Sequence, residues 1–211
     1  MYRYLLFFIF SFSFAQNPFS KEHPSNVLAL KACGYVNLLD GGFGSILGSE
    51  KSFLKNHSVG VKLINNYFLP RSEFVLDNNG VEHDIGDYTD DKDFSLIVEY
   101  KYYVEFLNGR EISPYFSISY KTGKRTIDND RDFPHDYYHR ETKYNFFGPA
   151  VGTLIFLSDS KKWTIDTQLG YLFGKKNRFT EYVIPMQFNK NESFRANLFR
   201  FEIMVAYNIN W

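Results

Sequence analysis

The sequence predicts an all-β fold, an eight-stranded antiparallel up-and-down transmembrane β-barrel. Three observations predict it. Large apolar residues recur at every second position along most of the chain, which is the period of a strand. The segments between these runs alternate between long and short, and the long ones are polar. Aromatic residues make up 19% of the 211 residues, with 16 Tyr and 23 Phe, and they gather toward the ends of the runs.

The N-terminal stretch MYRYLLFFIFSFSFAQ stands apart from that pattern. It opens with Arg3, continues as an apolar run from Leu5 to Phe14, and offers Ser13 and Ala15 as small residues before a cut. This is the layout of a secretory signal peptide, 1–15, and the run is too short for the roughly 20 apolar residues of a membrane-spanning helix. A short N-terminal segment, 16–26, then leads into the barrel, 27–211. Removal of Arg3 turns 24 basic and 24 acidic residues into 23 and 24, a net charge of −1. So even a balance carries none of the basic excess that nucleic acid demands. Cys33 is the single cysteine, so an exported chain of this kind holds together without an internal disulfide.

Strands are expected at about 27–36, 42–50, 57–68, 92–106, 111–122, 143–157, 162–174 and 195–211, each end uncertain by about 2–4 residues. In VLALKACGYV, Leu28, Leu30 and Val36 oppose Lys31. FGSILGSE is Gly-rich and its facing is open. HSVGVKLINNYF sets Val59, Val61 and Leu63 against Lys62. FSLIVEYKYYVEF sets Phe94, Leu96, Val98, Tyr100, Tyr102, Val104 and Phe106 against Ser95, Glu99, Lys101 and Glu105. EISPYFSISYK sets Ile112, Phe116, Ile118 and Tyr120 against Ser117, Ser119 and Lys121. YNFFGPAVGTLIF separates large from small, and Phe147, Val151 and Ile155 are the outer choice because Gly148, Ala150 and Gly152 suit a crowded interior. WTIDTQLGYLF sets Trp163, Ile165, Thr167, Leu169, Tyr171 and Phe173 against Asp166 and Gln168. The closing run FEIMVAYNINW sets Phe201, Ile203, Val205, Tyr207, Ile209 and Trp211 against Glu202, Met204 and Ala206.

Facing follows from the solvent on each side. If the large apolar set meets lipid, the lumen receives Lys31, Lys62, Glu99, Lys101, Lys121, Asp166 and Glu202, which must pair or be hydrated because an isolated ion in a dry interior is very costly. An eight-stranded barrel is about filled by its own side chains, so a rigid polar plug is expected ahead of an ion path. Aromatic girdles belong at both interfaces. Tyr67, Phe94, Tyr120, Phe173 and Phe199 fall at the outer rim, and Phe106, Trp163 and Trp211 at the inner one. A soluble secreted barrel of lipocalin type also alternates, with its apolar face inward. Sparse polar faces and aromatics at strand ends favour the membrane form.

This layout resembles the small eight-stranded outer-membrane barrels of Gram-negative bacteria, of the OmpX and OmpA-barrel type. The resemblance rests on the signal peptide, the strand and loop rhythm, and FEIMVAYNINW, which looks like the C-terminal signal read by the outer-membrane insertion machinery, here closed by Trp211 where Phe is usual. It implies an outer-membrane location, a monomer, contact with membrane lipid and lipopolysaccharide, and assembly by that machinery.

Chemistry is harder to find. His23, His57, His83, His135 and His139 lie in the N-terminal segment, at a strand start or in loops, none mid-strand beside a Ser and an acid, so no catalytic residue is expected. HDYYH spaces two histidines four apart without a convincing helix. DNNGVEHDIGDYTDD carries Asp77, Glu82, Asp84, Asp87, Asp90 and Asp91 without the spacing of a calcium loop. No metal and no cofactor are expected. The acidic loop at 69–91 and the basic segment at 175–194 have opposite signs, and their attraction is expected to lean them over the mouth as a mobile lid.

Overall fold

A period of two in a chain with no strong helical segment leaves strand pairing as the way to satisfy the backbone. The computed structural model describes residues 27–37, 42–54, 56–68, 72–76, 82–87, 90–104, 112–129, 137–157, 162–184 and 186–210. Among these residues ten strands run β1 (Val27–Asn37), β2 (Gly42–Leu54), β3 (His57–Phe68), β4 (Ser72–Leu76), β5 (Glu82–Asp87), β6 (Asp90–Tyr103), β7 (Ile112–Asn129), β8 (Tyr137–Phe156), β9 (Trp163–Ile184) and β10 (Met186–Asn210). Eight close into a barrel in the order β1-β10-β9-β8-β7-β6-β3-β2, all antiparallel, while β4 and β5 pair only with each other. The barrel is therefore the up-and-down one that the alternation predicts.

Register sets its dimensions. Stepping sideways from Ala32 through Leu47, Leu63, Leu96, Thr122, Asn145 and Lys175 arrives at Arg195, ten residues from Val205, the residue that pairs with Ala32. Eight strands with a ten-residue stagger give a strand tilt of about 40° and a backbone cylinder of about 8 Å radius, narrow enough for side chains to fill.

The outward and inward sets separate cleanly along the strands. β3 alternates buried and exposed residues from Ser58 to Leu63. Among the described residues, 30 large hydrophobic side chains are exposed, most of them on the outer face, while Lys62, Lys101, Glu99, Asp166 and Gln168 are at most 1% exposed. In the Gly-rich β2, Phe43 and Leu47 point out and Ile46 and Glu50 in. In β8, Phe147 and Val151 point out and Gly148 and Ala150 in. Val104 departs from its expected outer face: the strand ends at Tyr103 and Val104 is buried, its N–H donating to the Pro114 carbonyl at 3.0 Å. Glycine on the inner face makes room for aromatics, since a Cβ on Gly152 would come within 2.4 Å of the Tyr115 hydroxyl.

Two expectations about the connections need correction. The segments read as long loops are partly strand: β7 runs on to Asn129, β8 starts at Tyr137, and β9 and β10 continue to Ile184 and from Met186. Along these extensions polar residues stand on both faces, so the alternation that marks a strand in sequence fades while the backbone pairing continues. Segment 175–194 is accordingly a β-hairpin continuous with the wall, with Glu192 paired inside it to Lys190 (2.9 Å) and Arg178 (3.7 Å). His139 stands in β8, bonded to Asp128, and His135 lies outside the described residues.

Candidate functional site in the lumen

Seven of the eight barrel strands send a polar or charged side chain to one level of the interior, and β8 supplies the small residues opposite them. Lys31 comes from β1, Glu50 from β2, Lys62 from β3, Glu99 and Lys101 from β6, Ser117 and Ser119 from β7, Asp166 and Gln168 from β9, and Arg200 and Glu202 from β10; all are buried. Four carboxylates face four cations, so the level is neutral.

The pairs form two joined groups. Toward the end bearing the short turns, Lys31 bridges Glu50 and Asp166. Lys101 sits between the same two carboxylates, at 2.7 Å from Asp166 and 3.0 Å from Glu50, with its ammonium 4.1 Å from the Tyr115 ring centre. Hydroxyls complete the carboxylate shells: Tyr103 and Ser58 donate to Glu50, and Tyr115 donates to Asp166 at 2.6 Å. One step along the axis, Lys62 lies 2.8 Å from Glu99 and 3.0 Å from Glu202. Arg200 grips Glu202 through Nε and Nη2 at 2.5 and 2.6 Å, a two-point contact of the strong kind, and reaches Ser119 at 2.9 Å. Gln168 donates to Ser117 at 2.7 Å and to Glu99 at 3.2 Å, and Glu99, 3.4 Å from Lys101, ties the two groups together.

Apolar layers flank this level. Tyr103 and Tyr115 meet edge to face beside Leu154, with ring centres 5.4 Å apart, on the turn side. Ile46, Ile64, Ile97 and Met204 form one cluster and Tyr144, Phe146 and Leu172 another. Lys121 points inward but lies apart from the network, its ammonium 5.5 Å from the Tyr144 ring centre.

Of the residues expected in the lumen, Lys31, Lys62, Glu99, Lys101, Asp166 and Glu202 meet in one network. Sequence reasoning missed Glu50, Arg200, Tyr103 and Tyr115. Arg200 had a signal, since it shares the parity of Glu202 and Met204. Tyr103 and Tyr115 share that of Lys101 and Ser117. Glu50 had none, because the facing of its Gly-rich strand is unmarked.

On the outer face stand Phe201, Ile203, Val205 and Tyr207, all exposed, with Ile209 half-buried. Tyr67, Phe94, Phe173 and Phe199 are exposed near the loop end, Trp163 is exposed at the turn end, and Tyr120 lies lower in the wall, opposite Phe147 and Val98. Phe106 and Trp211 lie outside the described residues.

Glu50, Glu99 and Asp166 come close enough to share a cation, and the Lys31 and Lys101 ammonium groups already occupy that role. A metal there would compete with two tethered charges. Of the described histidines, His57 bonds the Tyr100 hydroxyl on the outer face, while the adjacent Ser58 turns inward to Glu50.

No family model matches the chain, and no curated protein matches it by sequence. In fold it is similar to a major outer membrane protein from Thermus thermophilus. That crystal structure aligns over 88% of this chain and 100% of its own, with a TM-score of 0.52 and 15% identity.

Proposed function

We propose that the chain is an integral outer-membrane β-barrel of the small OmpX and OmpA-barrel kind, closed to solute passage by its lumen network, with the strands and loops beyond the membrane serving interaction or envelope structure. The observation that carries this reading is the facing of the wall. Thirty exposed large hydrophobic side chains, at about half of the roughly 150–250 Å² of an aromatic, amount to more than about 2,000 Å², several times the few hundred Å² usual for a soluble monomer. A lipocalin-type barrel has the reverse facing. A neutral, fully paired ion level is the form in which buried charge is tolerated, and one that rigidifies a wall.

The short turns and the ends of β1 and β10 then face the periplasm, and the long β7–β10 ladders rise outside the cell. At about 2.5 Å of axial rise per residue, the 25-residue β10 reaches about 60 Å, roughly twice what the apolar band needs. Membrane lipid, lipopolysaccharide and the insertion machinery that reads FEIMVAYNINW are the partners of this reading.

Fluorescence quenching tests it. A Trp211→Phe chain leaves Trp163, exposed on the outer face, as the one emitter. In vesicles of neutral lipid, brominated acyl chains are expected to quench Trp163 strongly. Emission unaffected by bromine at any depth would exclude the lipid-facing wall.

A further inference from the structure

Five adjacent strands change character at the same level of their outer faces. Moving toward the loop end, Phe94 gives way to Lys92 on β6, Tyr120 through Thr122 to Lys124 on β7, Phe147 through Asn145 to Lys143 on β8, Phe173 to Lys175 on β9, and Phe199 through Asn197 to Arg195 on β10. All five basic residues are exposed. The register puts Lys124 directly opposite Lys143, and Lys175 directly opposite Arg195. Like charges in direct cross-strand pairs oppose sheet formation; Glu141 bridges the first pair, and stability alone gives no reason for the second. Acids on this face come further out. Glu141 pairs with Lys124 and, at 2.8 Å, with Lys143, and Asp128 and Glu181 lie beyond it. Hydrogen bonds from Lys124 and Lys143 hold the Glu141 carboxyl down to about 2, so it stays ionised, and it offsets one charge of the four on Lys124, Lys143, Lys175 and Arg195.

Directly below, on the same five strands, the wall is indented. A groove of about 600 Å³ opens where Pro149 takes an outward position and Gly170 lies beneath, between the side chains of Phe116, Ile118, Leu169 and Phe199. Pro149 also lacks the N–H that a central strand donates, and the β8–β9 ladder skips from Phe147 to Ala150 there. A basic rim above an apolar groove matches one kind of molecule: an anionic head joined to apolar chains.

We infer that the outer face of β6–β10 binds a phosphate-bearing lipid of the outer leaflet, its phosphates on Lys124, Lys143, Lys175 and Arg195 and an acyl chain in the groove. The inference rests on the membrane reading and deepens its lipopolysaccharide partner to a site. Lysine supplies point charges and arginine a fork for phosphate oxygens, and water excluded by the aromatic rim strengthens both.

The full chain, refolded in neutral detergent, is titrated by native mass spectrometry with bis-phosphorylated lipid A, its phosphate-free counterpart and inorganic phosphate. The phosphorylated lipid is expected to bind at least about 30-fold tighter than the phosphate-free one, and inorganic phosphate to compete poorly. Lys124→Gln, Lys143→Gln, Lys175→Gln and Arg195→Gln combined should weaken lipid A by about 100-fold or more, from about fivefold per basic residue. Lys175→Gln with Arg195→Gln alone should keep or raise the urea midpoint, because a repulsive pair is removed and no ion pair is lost. Leu169→Trp, which fills the groove and spares the rim, should weaken lipid A about tenfold. Equal binding of the two lipids, an unaffected fourfold variant, a silent Leu169→Trp, or competition by inorganic phosphate at the concentration of the lipid would each overturn the site. Insertion into neutral vesicles, measured alongside, tells that outcome from a failure of the membrane reading itself.

Discussion

Lys101→Met is the sharpest perturbation of the lumen. The side chain is fully buried, and its ammonium lies 2.7, 3.0 and 3.4 Å from Asp166, Glu50 and Glu99. Methionine matches its length and leaves the Tyr115 ring covered, so the change is one of charge. Glu50 and Asp166 are then left with Lys31 as their remaining cation, and a buried level that was neutral acquires a net charge of −1. Removing one partner of a buried ion pair costs about 3–5 kcal/mol, because the other charge stays desolvated. At about 1.4 kcal/mol per factor of ten, the folding equilibrium falls about 150- to 4,000-fold. Reversible urea unfolding in lipid vesicles, followed by tryptophan emission, reads this directly. Asp166→Asn in the same chain removes the matching negative charge and keeps an acceptor for Tyr115, so the double variant should recover at least about half of the loss. A cost under about 1 kcal/mol for Lys101→Met, with no coupling to Asp166→Asn, would mean that the level is hydrated and does not hold the wall.

Val205→Arg should cost about 2–4 kcal/mol of membrane folding because Val205 faces out near the middle of the apolar band, whereas Ala206→Ser, turned into the lumen, should cost far less; refolding yields compare the two, and equal yields refute the facing. Glu141 should titrate near 2 by NMR instead of near 4.3, with Lys124→Ala and Lys143→Ala each raising it. Its folded-state value is depressed, so any stability it adds is present above the unfolded value and is lost as pH falls toward 2.

How much of this the sequence could reveal depended on the solvent at each face. Where one face meets apolar surroundings and the other a packed interior, as from Phe94 to Tyr102 in β6, alternation alone reads both strand and facing. From Lys175 to Ile184 and from Met186 to Phe194 that contrast is lost, and paired strands look like loop. Glu50 was invisible because Gly44, Ser45, Gly48 and Ser49 mark no side. The network members were mostly legible one by one, but their partners were not. Lys31 meets Asp166 across 135 residues of sequence, and which strands bring them level is set by the ten-residue stagger, a property of the closed ring that no local window contains. The basic rim was hidden for the same reason: Lys124 and Lys143, or Lys175 and Arg195, become neighbours only through register.

The most direct test of a lipid-embedded wall around a closed, ion-paired lumen is single-channel recording from the full chain in planar bilayers of neutral lipid, with insertion verified on the same preparation by its resistance to protease and its unheated gel mobility. The inserted wild-type barrel is predicted to pass no discrete current steps in molar salt across the usual range of voltages, because the Glu50, Glu99, Asp166 and Glu202 carboxylates and their four cations fill its waist between layers of tyrosine and isoleucine. Regular, ohmic steps from inserted wild-type protein would contradict it and make the lumen a conducting path.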